Sequence, residues 1–309
     1  MNSFNRAKLL DRGLYSIFSQ DWPKDKYEVV CVDDSSKDNT HEIAMKYIKE
    51  GNPLIYIYRD KGDLTDCYTN AGIPANIGIR NSSGEIIIRC DAEIIHGKDS
   101  IKKLTEVHEL KENIVCFAAT YALPEKLNID LYDWKNDREV FLREKLIEST
   151  YVGKTYIRPF VFLASIKRKH WVEMGAYDED FPGYGMEDND MADRWLKMGL
   201  NYVYLDKEML KKNGFDHRNS CEDIYEPYCE LSYHQWHESF GETKPLPGKT
   251  SEDVWKEKIE LRNKGLIGYV RNMGKRWGMI KKGHKVFGEG DKIFKQTIEN
   301  DIVTNVEVI

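Results

Sequence analysis

The sequence predicts an α/β protein whose central sheet is mostly parallel and covered by helices on both faces. Three observations predict it. Short runs rich in β-branched residues alternate with segments of helical period from residue 27 to residue 119. Those runs are apolar almost throughout, as strands buried on two sides must be. Two of them run into acidic turns, Asp33-Asp34 and Asp91-Ala92-Glu93, and open α/β sheets hold ligands beyond the carboxyl ends of their strands.

Each element has its own signal. Residues 5–18 carry Leu9, Leu10, Leu14 and Ile17 at helical intervals and stop before Trp22-Pro23. Residues 27–32 form a strand that leads into Asp33-Asp34-Ser35-Ser36-Lys37-Asp38-Asn39-Thr40, a polar turn able to cap a helix over 40–50. Gly51-Asn52-Pro53 breaks that helix, and 54–58 is a second strand. A helix over 70–81, closed by Ser83-Gly84, precedes a third strand over 85–90. A helix over 99–110 and a strand over 114–119 follow. Residues 124–158 are charged and irregular apart from a helix over 138–148, and 160–165 is a further apolar run before Lys167-Arg168-Lys169.

Behind Gly183-Tyr184-Gly185 the acids Glu187, Asp188 and Asp190 open a helix with Met191, Trp195 and Met198 near helical spacing and Gly199 as its stop. Residues 202–205 form a strand. From residue 250 the chain is charged and helical, with Trp255, Ile259 and Leu261 on a stripe, and 281–309 is a docked helix or a loose tail. These boundaries divide the chain into a domain over 1–245 and a helical extension over 246–309.

Bulk properties exclude several classes. A formal charge of -6 argues against a nucleic-acid binder. No run approaches the ~18 apolar residues of a transmembrane helix, and no signal peptide opens the chain. Six cysteines without CxxC spacing, several inside strand-like runs, indicate reduced buried thiols and a cytoplasmic location. The basic stretch 271–285, with Trp277 and Met279 interleaved, suits a solvated helix, or peripheral contact with an anionic inner membrane face or a partner helix.

The acidic clusters carry the chemistry. Asp91 and Glu93 share one face of an extended segment, the arrangement of a divalent-cation clamp for a diphosphate. Asp33 or Asp34 can accept from a nucleobase N–H or a ribose hydroxyl, or serve an Asx turn and helix cap. His234 and His237 flank Trp236 and can add a metal ligand, with His217 a weaker candidate; each can equally be a structural hydrogen bonder. Trp236 and Trp195 are candidate sugar platforms. In the acidic helix, Asp188 and Glu187 form the edge of an active site, while Asn189 and Asp190 cap the helix.

With these residues in place, the chain resembles the family 2, GT-A-type glycosyltransferases. NRAKLLDRGLYSIFSQDWP is similar to the helix after the family's first strand, and YEVVCVDDSSKDNT to its nucleotide-binding strand and turn. NAGIPANIGIRNSSGEIIIRCDAEI resembles the segment leading to the DxD metal motif, with Glu93 in place of the second aspartate. GYGMEDNDMADRW resembles the acceptor-side motif, also similar to that of β-1,4-galactosyltransferases and chondroitin-type polymerases.

The resemblance implies a Rossmann-like GT-A fold and inverting transfer from a UDP-sugar to a glycan or other hydroxyl acceptor, in synthesis of cell-surface polysaccharide or glycoconjugate. It implies that Asp33 or Asp34 contacts uracil or ribose, with Arg80 near the nucleotide. Asp91 and Glu93 would hold Mn²⁺ or Mg²⁺, with His234 or His237 as a further ligand. Asp188 would be the base and Glu187 would orient the acceptor or sugar. Family members begin with an apolar strand ahead of the Asn-Arg found here as Asn5-Arg6. This chain opens Met1-Asn2-Ser3-Phe4, so most of that strand is expected to be absent. Alternatives are a nucleotide-sugar or glycan-binding module without turnover, and a sugar-phosphate nucleotidyltransferase, which would need a Gly-rich basic loop near the N-terminus.

Overall fold

The computed structural model describes residues 1–65, 67, 69–125, 127–131, 133–136, 163–204, 231–237, 248–272, 277–280 and 283–288, and the backbone of 294–299 and 302–308. Along the chain run β1 (Asn2–Ser3), α1 (Ala7–Phe18), β2 (Val29–Asp33), α2 (Thr40–Lys49), β3 (Leu54–Tyr58), α3 (Gly72–Arg80), β4 (Ile86–Cys90), β5 (Ile94–His96) and α4 (Ser100–Leu110). Then come β6 (Ile114–Phe117), β7 (Ala119–Ala122), β8 (Leu163–Lys167), α5 (Arg168–Met174), α6 (Glu187–Lys197), β9 (Asn201–Tyr204), β10 (Leu231–His234) and α7 (Ser251–Asn263). The strands β11 (Lys285–Phe287), β12 (Phe294–Glu299) and β13 (Ile302–Val308) end the described chain.

Two half-sheets meet at β1. One orders β1-β2-β3-β11 and is parallel except for β11 at its edge. The other orders β4-β8-β6-β9. A parallel bridge between Asn2 and Asp91 joins them. In the second half-sheet β8 runs antiparallel to both neighbours, so the sheet is mixed there. β8 passes straight into α5, whose Arg168 N–H donates to the carbonyl of Glu85, the residue before β4.

Both faces are covered, which explains the apolar strand runs. Cys31, Tyr56, Cys90 and Cys116 point into one core with Leu10 and Leu14 of α1, Ala44 of α2 and Leu104 of α4. Ile87, Val115, Phe117 and Ile166 point the other way, against Ile79 of α3, Trp171 of α5 and Met191 and Trp195 of α6. Trp195 is fully buried there and is no sugar platform. Cys31, Cys67, Cys90 and Cys116 form no disulfide.

β1 is two residues long. The Met1 amino group donates to the Val30 carbonyl (2.9 Å) and the Asp34 N–H to that of Ser3 (2.8 Å). A cavity of about 540 Å³ opens between Val29 and Val30 of β2 and Ile86 to Ile88 of β4.

Among the described residues of 246–309, α7 is the one helix, and it starts with a capping box between Thr250 and Asp253. Glycines at 265, 268, 278 and 283 oppose a longer helix. β11 instead adds to β3, and the β-branched run in β13 pairs with β12. Trp277 and Ile280 are buried against the α3 side of the sheet, so Trp277 is core rather than a membrane contact. No helix among the described residues is long and apolar enough to cross a membrane. The helix expected over 138–148 and His217 lie outside the described residues.

Candidate active site

β2 delivers Asp33 and Asp34 to the ligand-facing end. The Asp33 carboxylate, 1% exposed, accepts from the Ser36 N–H (2.8 Å) and the Tyr56 hydroxyl (2.5 Å). Burial pushes its pKa up against those two hydrogen bonds. It is the structural aspartate of the turn. Asp34 instead gathers polar groups: Arg59, the Lys61 ammonium (3.2 Å) and the Thr69 hydroxyl (3.1 Å). Neither caps α2. Asp38 accepts from the Thr40 N–H (3.1 Å) and, at its other oxygen, from the Ala7 N–H (2.9 Å).

Asp91 and Glu93 follow β4 over a turn that α1 approaches closely. A Cβ on Gly13 would lie 2.6 Å from the Ala92 carbonyl oxygen, so only glycine allows this contact. Asp91 is held by the buried Arg89 (2.6 Å), two residues earlier on the same strand face. Glu93 faces the histidines because β10 pairs antiparallel with β5, His234 against Ile94. Gln235 fixes this register, receiving Arg12 (3.0 Å) and donating to the Leu9 and Glu93 carbonyls (both 3.1 Å).

Glu93 Oε1 lies 3.1 Å from His237 Nε2 and 3.6 Å from His234 Nε2. One ligand atom from each of Glu93, His234 and His237 lies within 4.8 Å of the others. A carboxylate with two imidazoles fits a divalent transition ion better than Mg²⁺. Burial alone would raise the Glu93 pKa, but the hydrogen bonds from His234 and His237 hold it well below the usual carboxylate range. Arg6 Nη2 lies 3.0 Å from His237 Nδ1. Guanidinium only donates, so Nδ1 accepts and the ring proton sits on Nε2, facing Glu93.

The acidic helix begins differently from the sequence expectation. Gly185 (φ 89°) and Met186 (φ 70°) are both left-handed, so the turn rests on Gly185 and a strained Met186. No side chain caps α6. Asp190 is fully buried between Arg194 (2.8 Å) and Arg262 of α7 (2.6 Å). It therefore anchors helices rather than capping one.

Asp188 accepts from the Tyr177 hydroxyl (3.1 Å), while Tyr177 is held to α3 by hydrogen bonds in both directions with the Asn76 side chain (2.9 Å each). Burial and then Asp91 push the Asp188 pKa up to about 6, against Arg89 and Tyr177. Glu187 is 7% exposed, and its Oε2 has no hydrogen-bond partner among the described residues. Burial and the Asp188 charge push its pKa up to about 8.

A sequence model described as Glycosyl transferase family 2 matches residues 1–162, over half the chain. The chain belongs to glycosyl transferase family 2. A second model, the N-terminal domain of galactosyltransferase, matches residues 156–218. The Bacillus subtilis glycosyltransferase YfnE is 23% identical over 276 residues, covering 75% of this chain and 67% of YfnE. TarS of Staphylococcus aureus, a poly(ribitol-phosphate) β-N-acetylglucosaminyltransferase, is 30% identical over 100 residues, or 32% of this chain and 16% of TarS.

Two solved structures carry the same GT-A fold. The S. aureus TarS fragment 1–349 with UDP-GlcNAc gives a TM-score of 0.53 at 16% identity, over 84% of this chain and 63% of that one. GalNAc-T7 with UDP, GalNAc and Mn²⁺ gives 0.56 at 14% identity, over 82% and 46%.

In this family 2 glycosyltransferase, Asp91, Glu187 and Asp188 share one electrostatic neighbourhood, and Glu93, His234 and His237 form a second cluster beside it. Arg80 is not brought in. Its guanidinium lies 5.2 Å from the Trp277 ring, at the far end of α3 from the ligand-facing turn, because a nine-residue helix spans roughly 13 Å. Sequence reasoning missed Arg89, though its i, i+2 spacing from Asp91 was a signal. Tyr177, Arg59 and Arg6 carried none. Trp236, next to His237 in sequence, is 44% exposed.

Proposed function

We propose that this family 2 glycosyltransferase is a metal-dependent, inverting enzyme that moves a sugar from a UDP-sugar to a hydroxyl acceptor during synthesis of a cell-surface polysaccharide or glycoconjugate. The observation that carries the reading is Asp188. It is a buried carboxylate with a pKa near 6, ionised at neutral pH yet basic enough to accept a proton. UDP-GlcNAc bound to TarS and UDP bound to GalNAc-T7, two proteins of the same fold, support the donor class.

In this reading Asp188 takes the proton from the acceptor hydroxyl as its oxygen bonds to the anomeric carbon and the bond to the diphosphate breaks. A single base opposite the leaving group gives inversion. Tyr177 orients the Asp188 carboxylate. Glu187 keeps its proton at neutral pH and donates it in a hydrogen bond to a sugar or acceptor oxygen. Asp33 or Asp34 takes the nucleoside at the end of β2, where Asp33 is held by Ser36 and Tyr56 and Asp34 by Arg59, Lys61 and Thr69. Glu93 and His234, with Asp91 beside them, would hold Mn²⁺ in preference to Mg²⁺, and His237 would join them once Arg6 leaves its Nδ1 and the ring proton moves there from Nε2. When bound, such a cation neutralises charge on the departing diphosphate.

A thermal-shift screen of UDP-sugars and other nucleotide-sugars, with and without Mn²⁺, tests this, since a ligand of the folded state raises apparent stability. A UDP-sugar should stabilise the protein only with the cation present. Stabilisation by no nucleotide-sugar under either condition would refute the reading.

A further inference from the structure

We propose that Arg262, on a helix outside both family-matched stretches, is a positioning residue for the base: it braces the first turn of α6 through Asp190. The inference rests on the reading of Asp188 as base.

Helix α6 has no side-chain cap, and its N-cap Met186 is left-handed. Its first turn is therefore not secured from its own end. Asp190, two residues past Asp188, is 0% exposed and takes Arg194 Nε on Oδ2 (2.8 Å) and Arg262 Nη2 on Oδ1 (2.6 Å). Arg194 belongs to α6 itself, and its other nitrogens donate to the Met174 and Ala176 carbonyls (3.1 and 2.6 Å). Arg262 is the ion-pair partner that reaches Asp190 from another element among the described residues.

Its side chain is 2% exposed and passes over the Tyr269 ring (5.5 Å). A carboxylate buried this deeply needs both cations, because a buried ion pair that loses one partner leaves charge uncompensated. Undocking of α7 is a separable effect. Lys258, one turn earlier on α7, and Arg271 hold Asp178 on their own (2.7 and 2.6 Å). An Arg262 variant thus keeps the helix docked while detaching Asp190 from α7 and leaving it to Arg194 alone.

The test compares Arg262→Met, Arg262→Lys, Lys258→Met and Asp188→Asn. UDP release from UDP-GlcNAc and UDP-glucose with Mn²⁺, UDP·Mn²⁺ affinity by calorimetry, and hydrogen exchange are measured. Arg262→Met should lower kcat about tenfold or more while the UDP·Mn²⁺ Kd stays within about twofold, with Arg262→Lys recovering most of the loss. Exchange should quicken over 186–190 and not over 94–96, an outcome that needs no donor at all.

A folded Arg262→Met with normal kcat, or with unchanged exchange over 186–190, overturns the proposal. So do parallel losses of kcat and UDP affinity matching those of Lys258→Met. If Arg262→Met does not fold, Arg262→Gln, which keeps one N–H toward Asp190, takes its place under the same criteria. Should Asp188→Asn retain turnover, the base assignment falls, and exchange alone decides the role of Arg262.

Discussion

Arg89 is the buried cation that faces Asp91, Glu187 and Asp188 together. It lowers the Asp188 pKa, so Arg89→Met should move the acid limb of the pH–kcat profile above about 6. An unmoved limb would remove Arg89 from the base's surroundings. Asp188→Asn should abolish transfer and leave UDP·Mn²⁺ affinity intact, as calorimetry beside a turnover assay will show. Glu187 gives a stability prediction. Its folded pKa, about 8, exceeds its unfolded value of 4.5, so its protonated form favours the folded state. That contribution is complete below the unfolded value and disappears as pH rises through about 8. Glu187→Gln should therefore gain melting temperature relative to the parent as pH rises from about 5 to about 8. A constant difference across that range would contradict the shift.

At the scale of elements, the proposed metal edge depends on how closely α1 packs on the Asp91-Ala92-Glu93 turn. Gly13→Ala would force a Cβ to 2.6 Å from the Ala92 oxygen. It should cost about 1–3 kcal/mol in denaturant unfolding and weaken Mn²⁺ binding. Much of this level could be read from sequence. The apolar runs that became β2, β3 and β4 and the helical stripes of α1, α2 and α4 are local patterns, and local patterns survive folding. Long-range pairing does not leave such a trace. That His234 lies beside Glu93 follows from the register of β10 on β5, across some 140 positions of sequence. Asp190 looked like a cap because acids favour a first helical turn, yet the second cation on its carboxylate comes from α7. The tail looked helical from its charge, while its glycines and β-branched residues favoured strands.

Across the whole molecule, the proposed nucleotide end and the proposed metal end of the site belong to different half-sheets. Asp34 rides on the β2 side and Asp91 on the β4 side, with β1 between them. Among the described residues the Asn2–Asp91 bridge joins the two half-sheets along that seam. A donor that touches Asp34 with its nucleoside and a cation on Glu93 with its diphosphate lies across the seam like a cross-tie. Binding would then tighten the sheet as well as fill the site. UDP and Mn²⁺ together should raise the melting temperature by more than the sum of their separate shifts, because each pays part of the same ordering cost. Strict additivity would mean that the two half-sheets are already locked without a ligand.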